Sequence, residues 1–188
     1  MEPIYIFLII LGVIGFFILI WVISSYNSLK SAKIKVNEAE SGIDVALTKR
    51  FDVLTKMVDT VKGYAKHEKE TLEKVIALRN SVHLNNASIK EKQDISNQMD
   101  EAMRAINVIV EQYPDLKANE NFKQLQVSIS DVEEHLQAAR RVYNSNVSNY
   151  NHKVQLFPSN IIASMFHFEA QEFFIAEEYK RNDVEINF

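Results

Sequence analysis

The 188 residues contain no cysteine. That absence excludes disulfides, thiolate metal sites, a cysteine nucleophile and a lipid-anchored cysteine together. It leaves the compartment open, because a cysteine-free chain is at home on either side of a membrane. Glycine and proline are nearly as scarce, at 4 and 3 residues, which favours long helices over a turn-rich sheet fold. Basic excess is missing too. The formal charge of -4 gives no electrostatic footprint for a nucleic-acid partner. No Lys or Arg occurs before Lys30.

What is present begins with an uncharged apolar stretch from Ile4 to Ile23. A helix needs roughly 20 such residues to cross a hydrocarbon core of about 30 Å. Tyr5 and Trp21 stand near its two ends, where amphipathic rings favour the interface. Gly12 and Gly15 are three apart rather than four, so the tight helix-dimerisation motif is absent. A cleaved signal peptide wants a basic start, a shorter apolar core and a small-residue cleavage site. Met1-Glu2-Pro3 and Ser24-Ser25-Tyr26-Asn27 supply none of these, so residues 1–25 read as a retained anchor spanning about 4–23. Lys30, Lys33 and Lys35 follow the span, and cationic flanks stay cytoplasmic. The short N-terminus is therefore expected outside and the remaining chain inside.

After the anchor, apolar residues recur every three or four positions. Leu29, Ala32, Val36, Ala39 and Ile43 follow a heptad. The steps through Leu47 and Phe51 shift the register as a stutter does, and the stripe continues through Leu54, Val58, Val61 and Ala65. One amphipathic helix over 26–64, running on from the span without a break, is predicted. A second, 67–84, carries Leu72, Val75, Leu78 and Val82. A polar break follows, and Ser88 with Glu91 has capping-box spacing. The third helix, 88–113, has the face Ile95, Met99, Ala102, Ile106, Ile109 and Tyr113, and Pro114 ends it. The fourth, 117–155, carries Phe122, Leu125, Ile129, Val132, Leu136, Ala139, Val142 and Val147. Residues 157–188 form an aromatic-rich tail. At 1.5 Å per residue the first and fourth helices span about 55–60 Å, the second and third about 27 and 38 Å. Short connections favour antiparallel neighbours. The fold class expected for 26–156 is thus all-α, an antiparallel up-and-down four-helix bundle of coiled-coil-like character. Residues 66–113 as one bent helix, giving three long helices, is the open alternative.

Several stretches resemble the LemA family of bacterial membrane proteins: Tyr26-Asn27-Ser28-Leu29, residues 60–68, residues 113–122 with Leu125-Gln126, and Ala139-Arg140-Arg141, Tyr143-Asn144, Tyr150-Asn151 and Phe157-Pro158. The resemblance covers nearly the whole chain beyond the anchor, with its motifs in the family's order. It implies a single N-terminal anchor in the cell (inner) membrane, the short terminus outside, and a cytoplasmic antiparallel four-helix bundle. It implies no biochemical activity. One departure is clear: the family carries Pro-Asn in the middle of its first helix, where this chain has Thr55-Lys56. A kink expected there, and any recognition role of the Asn, are in doubt for this chain.

A search for chemistry returns little. None of His67, His83, His135, His152 and His167 has Glu three residues before it, as bundle di-iron sites require. Asp131 and His135 are one helical turn apart and read as a surface pair. No Gly-rich phosphate loop or Gly-x-Ser-x-Gly is present. Lys62, Lys66, Lys69 and Lys74 alternate with Glu68, Glu70 and Glu73 as a solvated face does. Arg140-Arg141 lie near Glu133 and Glu134 and are expected to pair within the bundle. No catalytic, cofactor or metal residue is assigned, and an enzyme is not expected.

Two segments remain as contact candidates. Tyr113, Pro114, Asp115, Lys117, Asn119 and Asn121 form a turn that is either a plain helical corner or a partner-recognition tip. Ile161, Ile162, Met165, Phe166 and Phe168 form an apolar tail segment that packs on its own chain or a sister chain, or contacts membrane. The function expected is a membrane-tethered interaction or scaffold protein, whose partners are the lipid bilayer, an unidentified protein and a homo-oligomeric copy. The alternative is an accessory or regulatory subunit of a membrane protease or envelope-stress system, which rests only on loose associations of the family.

Overall fold

The structure is a computed structural model that describes residues 3–65, 84 and 87–175. The helix expected at 67–84, with His67 and His83, and the tail beyond 175 lie outside the described residues. Those described are all-helical, with no strand among them. Among the described residues five helices occur in order: α1, Pro3–Lys62; α2, Ile89–Gln112; α3, Pro114–Ala118; α4, Glu120–Gln155; and α5, Ser159–Met165. The described helices fall into two compact units. One comprises Met1–Ala39 with Asn144–Glu172, the other Glu40–Tyr143 with Phe173–Phe188.

α1 is one helix of 60 residues with no proline after its first position. Its beginning, from Ile4 to Ile20, is exposed on every side, so the chain itself offers those apolar groups no cover. Among the described residues this is the one helix long and apolar enough to cross a membrane. At Thr55-Lys56 the helix continues, and the Thr55 hydroxyl donates to the Phe51 carbonyl at 2.8 Å.

In the first unit the stripe Leu29, Ala32, Val36 and Ala39 of α1 is buried, along with Val147, Tyr150 and Asn151 of α4. Leu29, Ile162 and Ala163 form a small core at 0–1% exposure, with Trp21, Val22, Tyr26, Val154 and Phe168 packed around it. In the second unit α1 buries Ile43, Leu47, Phe51, Leu54, Val58 and Val61. Ala46, Arg50 and Met57 are buried as well, widening the stripe into a face. α2 buries Met99, Ala102, Ile106 and Ile109 as its spacing predicts. Its first turns differ from expectation. Ile95 is only half-buried, while Lys92 and Ser96 are fully buried. The reason is a set of polar partners, described below.

The start of α2 is fixed by its cap. Ser88, with φ -64 and ψ 161, accepts from the Glu91 N–H, and the Glu91 carboxylate accepts from the Ser88 N–H at 2.6 Å. These bonds draw the Glu91 pKa below its ordinary value, the backbone bond contributing most. The expected fourth helix, 117–155, is instead two helices. Pro114 sits in the first turn of the five-residue α3. Asn119 then leaves helical geometry at ψ 125, and its Oδ1 accepts from the Phe122 N–H at 3.0 Å. That bond serves one of the N–H groups that a helix start leaves unsatisfied, so α4 restarts at Glu120.

Candidate contact surfaces and a buried ionic layer

In the second unit, polar side chains occupy core positions of the helices. Arg50 is 4% exposed, yet carries a charge. Its Nη2 lies 2.5 Å from Asp100 Oδ1 and 2.9 Å from Glu133 Oε2. Its Nη1 donates to the Ser96 carbonyl at 3.3 Å and to the Ser96 hydroxyl at 3.4 Å. Arg140 of α4 also donates to that hydroxyl. Its guanidinium stacks over the Phe174 ring, 4.7 Å from the centroid. Two guanidiniums thus meet at one serine hydroxyl, and two carboxylates face that of Arg50.

A second set lies beside it. Lys92 Nζ is 2.7 Å from Glu40 Oε1 and 2.7 Å from Asp44 Oδ1. Burial alone pushes the Lys92 pKa down. Hydrogen bonds and charge from Asp44 and Glu40 together outweigh it, and the net direction is upward. Lys92 is thus held in its charged form and offers no proton at neutral pH. What this layer can do is bind helix to helix at fixed positions. Among the described residues no three His, Asp or Glu side chains converge as a metal site. Asp131, His135 and Arg141 are exposed on α4.

Sequence reasoning missed Arg50, Lys92 and Ser96, although a signal exists. Arg50 stands seven residues after Ile43 and seven before Met57, and Lys92 stands seven before Met99. A charged residue on a heptad position of an apolar stripe marks a buried ionic partner.

The turn candidates are brought together around α3. Leu116 and Phe122 are fully buried and Tyr113 half-buried, so the corner is anchored from inside. Asn119 Nδ2 donates to the Tyr64 hydroxyl at 2.9 Å, tying the corner to the segment after α1. Lys117 Nζ pairs with Glu111 at 2.7 Å. Pro114, Asp115 and Asn121 are exposed.

The tail candidates divide between inside and outside. Ile162 is 1% exposed, against Leu29, and so is unavailable to a partner. Phe168 is half-buried, and it and Phe166 make edge contacts with Tyr26 at 5.7 and 4.8 Å between centroids. Ile161, Met165 and Phe166 are exposed. The tail's path is set by Asn151, a further residue that sequence reasoning did not single out. Its Nδ2 donates to the Gln171 carbonyl at 2.9 Å, and its Oδ1 accepts from the Gln171 N–H at 2.8 Å. Beside it, Tyr150 is buried under Lys33, whose ammonium stands 5.6 Å from the ring centroid. Burial, then the charge of Glu169, raises the Tyr150 pKa.

Together these features define an all-helical protein with one apolar N-terminal helix, fit to be a membrane anchor, that continues into helical units, each with polar contacts between its own helices. The chain belongs to the LemA family, whose model matches residues 39–188. It is similar to protein LemA of Metamycoplasma hominis, 31% identical over 184 residues, which cover 98% of this chain and 84% of that protein. A shorter similarity joins it to magnetosome protein MamQ 2 of Paramagnetospirillum magneticum, 29% identical over 73 residues, 39% of this chain and 27% of that protein. MamQ of Magnetospirillum gryphiswaldense is 27% identical over 73 residues, again 27% of its length.

Proposed function

We propose that this chain is a membrane-tethered interaction protein of the LemA type, a single-pass scaffold that acts by binding rather than by catalysis. The observation that carries the reading is α1 itself. One unbroken helix is bare of protein cover over its uncharged first third and carries a buried stripe thereafter. Lys30, Lys33 and Lys35, following the span, support a cytoplasmic side of the cell membrane for the helical part in this reading. Tethering raises the local concentration of a binding surface for other membrane-bound molecules without any chemical step.

The arrangement proposed is the antiparallel four-helix bundle. Contact numbers within each unit support it. In the second, Tyr64 meets Asn119 and Arg50 meets Glu133; in the first, Lys33 meets Tyr150 and Ser28 meets Lys153. In each, the α1 number falls as the α4 number rises. For α2 the numbers rise together, Glu40 and Asp44 with Lys92, then Arg50 with Asp100. First and third helices of an up-and-down bundle run in this parallel sense. The surface proposed for a protein partner is the corner at Pro114, Asp115, Lys117 and Asn121.

The test is photo-crosslinking in cells from a probe replacing Lys117. Capture of one heterologous protein is the expected result. Capture of nothing but further copies of this chain refutes recruitment at this corner. No observation above favours the accessory-subunit reading.

A further inference from the structure

We propose that residues 156–168 form a foot that lies in the interfacial layer of the leaflet from which α1 emerges, so that the protein touches lipid through two separate segments. The proposal rests on α1 being a membrane anchor and adds a second, peripheral contact to it.

The segment is built to face two ways. α4 ends at Gln155, a turn at Leu156, Phe157 and Pro158 follows, and α5 runs from Ser159 to Met165. Its inner side, Ile162 and Ala163, closes on Leu29. Its outer side exposes Phe157 at 80%, Met165 at 61%, Leu156 at 59%, Ile161 at 49% and Phe166 at 45%. From Val154 to Phe168 no Asp, Glu, Lys or Arg occurs, and Lys153 and Glu169 bracket the stretch. So large an apolar group without a charge is unusual for a surface that meets only water. A helix of seven residues is far too short to span a bilayer, which leaves the interface.

The end of the turn is locked in place. Phe168 N–H donates to the Ala163 carbonyl and His167 N–H to the Ser164 carbonyl, with His167 at φ 55. This is a Schellman ending, and Phe168 packs against the small core that includes Ala163. It brings Phe166 and Phe168 against Tyr26.

Position along α1 supplies the occupant. The contacts of α4 move from Lys33 at Tyr150 to Ser28 at Lys153. Continuing that progression carries Leu156 and Phe157 about one further helical turn toward Ile23, the last residue of the uncharged span. The core under α5 takes in Trp21 and Val22, which belong to that span, and Tyr26 just beyond it. Trp21 to Leu29 covers about 12 Å of helix, enough to cross the zone of about 5–8 Å between hydrocarbon core and water. Aromatic rings concentrate in that zone. The foot is therefore continuous with the anchor's own interfacial end, and lipid covers its outer side.

The native absence of cysteine makes the test direct. Single variants Phe157→Cys and Met165→Cys carry an environment-sensitive fluorophore in the full chain. They are reconstituted in phosphatidylcholine–phosphatidylglycerol vesicles with lipid spin-labelled near the glycerol or deep in the acyl chain. Phe16→Cys reports the anchor. Val45→Cys, about 33 Å of helix beyond Ile23, reports the aqueous side. The proposal expects several-fold stronger quenching at 157 and 165 than at 45, greatest with the shallow label, while 16 is quenched best by the deep one. Quenching at 16 with none at 157 or 165 overturns the foot and leaves the anchor standing. No quenching at 16 overturns the anchor, and the foot with it. Fluorophores at 157 that quench one another between copies but not with lipid also overturn the proposal, in favour of a sister chain as occupant.

Discussion

Replacing Arg50 with Met removes a buried charge while keeping the side chain's bulk. The magnitude follows from how well each abandoned partner can reach water. Asp100, 15% exposed, loses its 2.5 Å ion pair and cannot fully rehydrate. Glu133, at 36%, is exposed enough for solvent to screen most of its loss. The Ser96 carbonyl loses a donor, a loss of about 1 kcal/mol. Breaking a buried ion pair by deleting one partner costs roughly 3–5 kcal/mol. Asp100 keeps other contacts, so the lower end applies, about 3 kcal/mol. That is roughly a 150-fold fall in the ratio of folded to unfolded chain. Arg50→Lys should recover only part of it, because an ammonium cannot fork between Asp100, Glu133 and Ser96. The assay is guanidinium unfolding of the full chain in mild detergent, followed by far-UV circular dichroism and compared at equal denaturant slope. A change under about 0.5 kcal/mol for Arg50→Met, within the range of ordinary surface substitutions, would refute the account of this layer.

Three further outcomes are expected. Lys92 has a folded pKa above its unfolded value, so its contribution is complete below pH about 10.5 and is lost as pH rises through the folded pKa. Alkaline unfolding of wild type against Lys92→Met should therefore converge above that pH, and parallel curves would sink the assignment. His167→Gly relieves a left-handed backbone and should stabilise by about 1 kcal/mol, read as a raised thermal midpoint, whereas a loss would mean the imidazole holds the tail in place. Asn151→Ala removes both bonds to Gln171 and should cost about 2 kcal/mol, with faster hydrogen exchange at the Gln171 amide. Unchanged exchange there would contradict the clamp.

Which parts of the molecule the amino acids announce depends on the range of the interaction. The anchor and the stripe of α1 are local patterns, and Leu29 to Val61 lie buried as their spacing predicts. The Ser88 cap is equally local, a hydroxyl and a carboxylate three residues apart. Asn119 is local as well, but a capping Asn and a turn Asn look alike in a sequence, so the restart of the helix at Glu120 was not foreseen. Arg50 and Lys92 were illegible for a different reason. A charged side chain is read as solvated unless its partner is known, and their partners are 46 to 83 residues away. The same holds for the tail. Its apolar run is plain, yet which of its residues turn inward depends on Leu29 and Tyr26, more than 130 residues earlier. Several LemA motif residues make contacts with residues distant in the chain. Tyr64 meets Asn119, Tyr26 meets Phe166, and Asn151 meets Gln171, so these motif residues have a structural role in this chain.

A buried ionic layer is seldom needed for stability alone, since well-packed apolar replacements are often neutral or stabilising. Its more distinctive effect here is on register. Helices as long as α1 and α4, with apolar residues at heptad spacing, can slide by one or two turns and still cover much of their stripes. Sliding would leave Arg50 without Asp100 and Lys92 without Glu40 and Asp44, and each mismatch strands a charge in the core. The layer should thus penalise slipped packings more than it stabilises the native one. The combined change Glu40→Gln, Asp44→Asn, Arg50→Leu, Lys92→Leu, Asp100→Leu and Glu133→Gln, which removes both sides of each pair, tests this separation. Unfolding should occur at the same or higher denaturant concentration. Spin-label distances between Cys at Val45 and Cys at Val127, both exposed and in one unit, should broaden from one population to several spaced by about 5.4 Å along the helix. A single sharp distance equal to the wild-type one would show that the apolar stripes specify register unaided, and that the charges serve some other end.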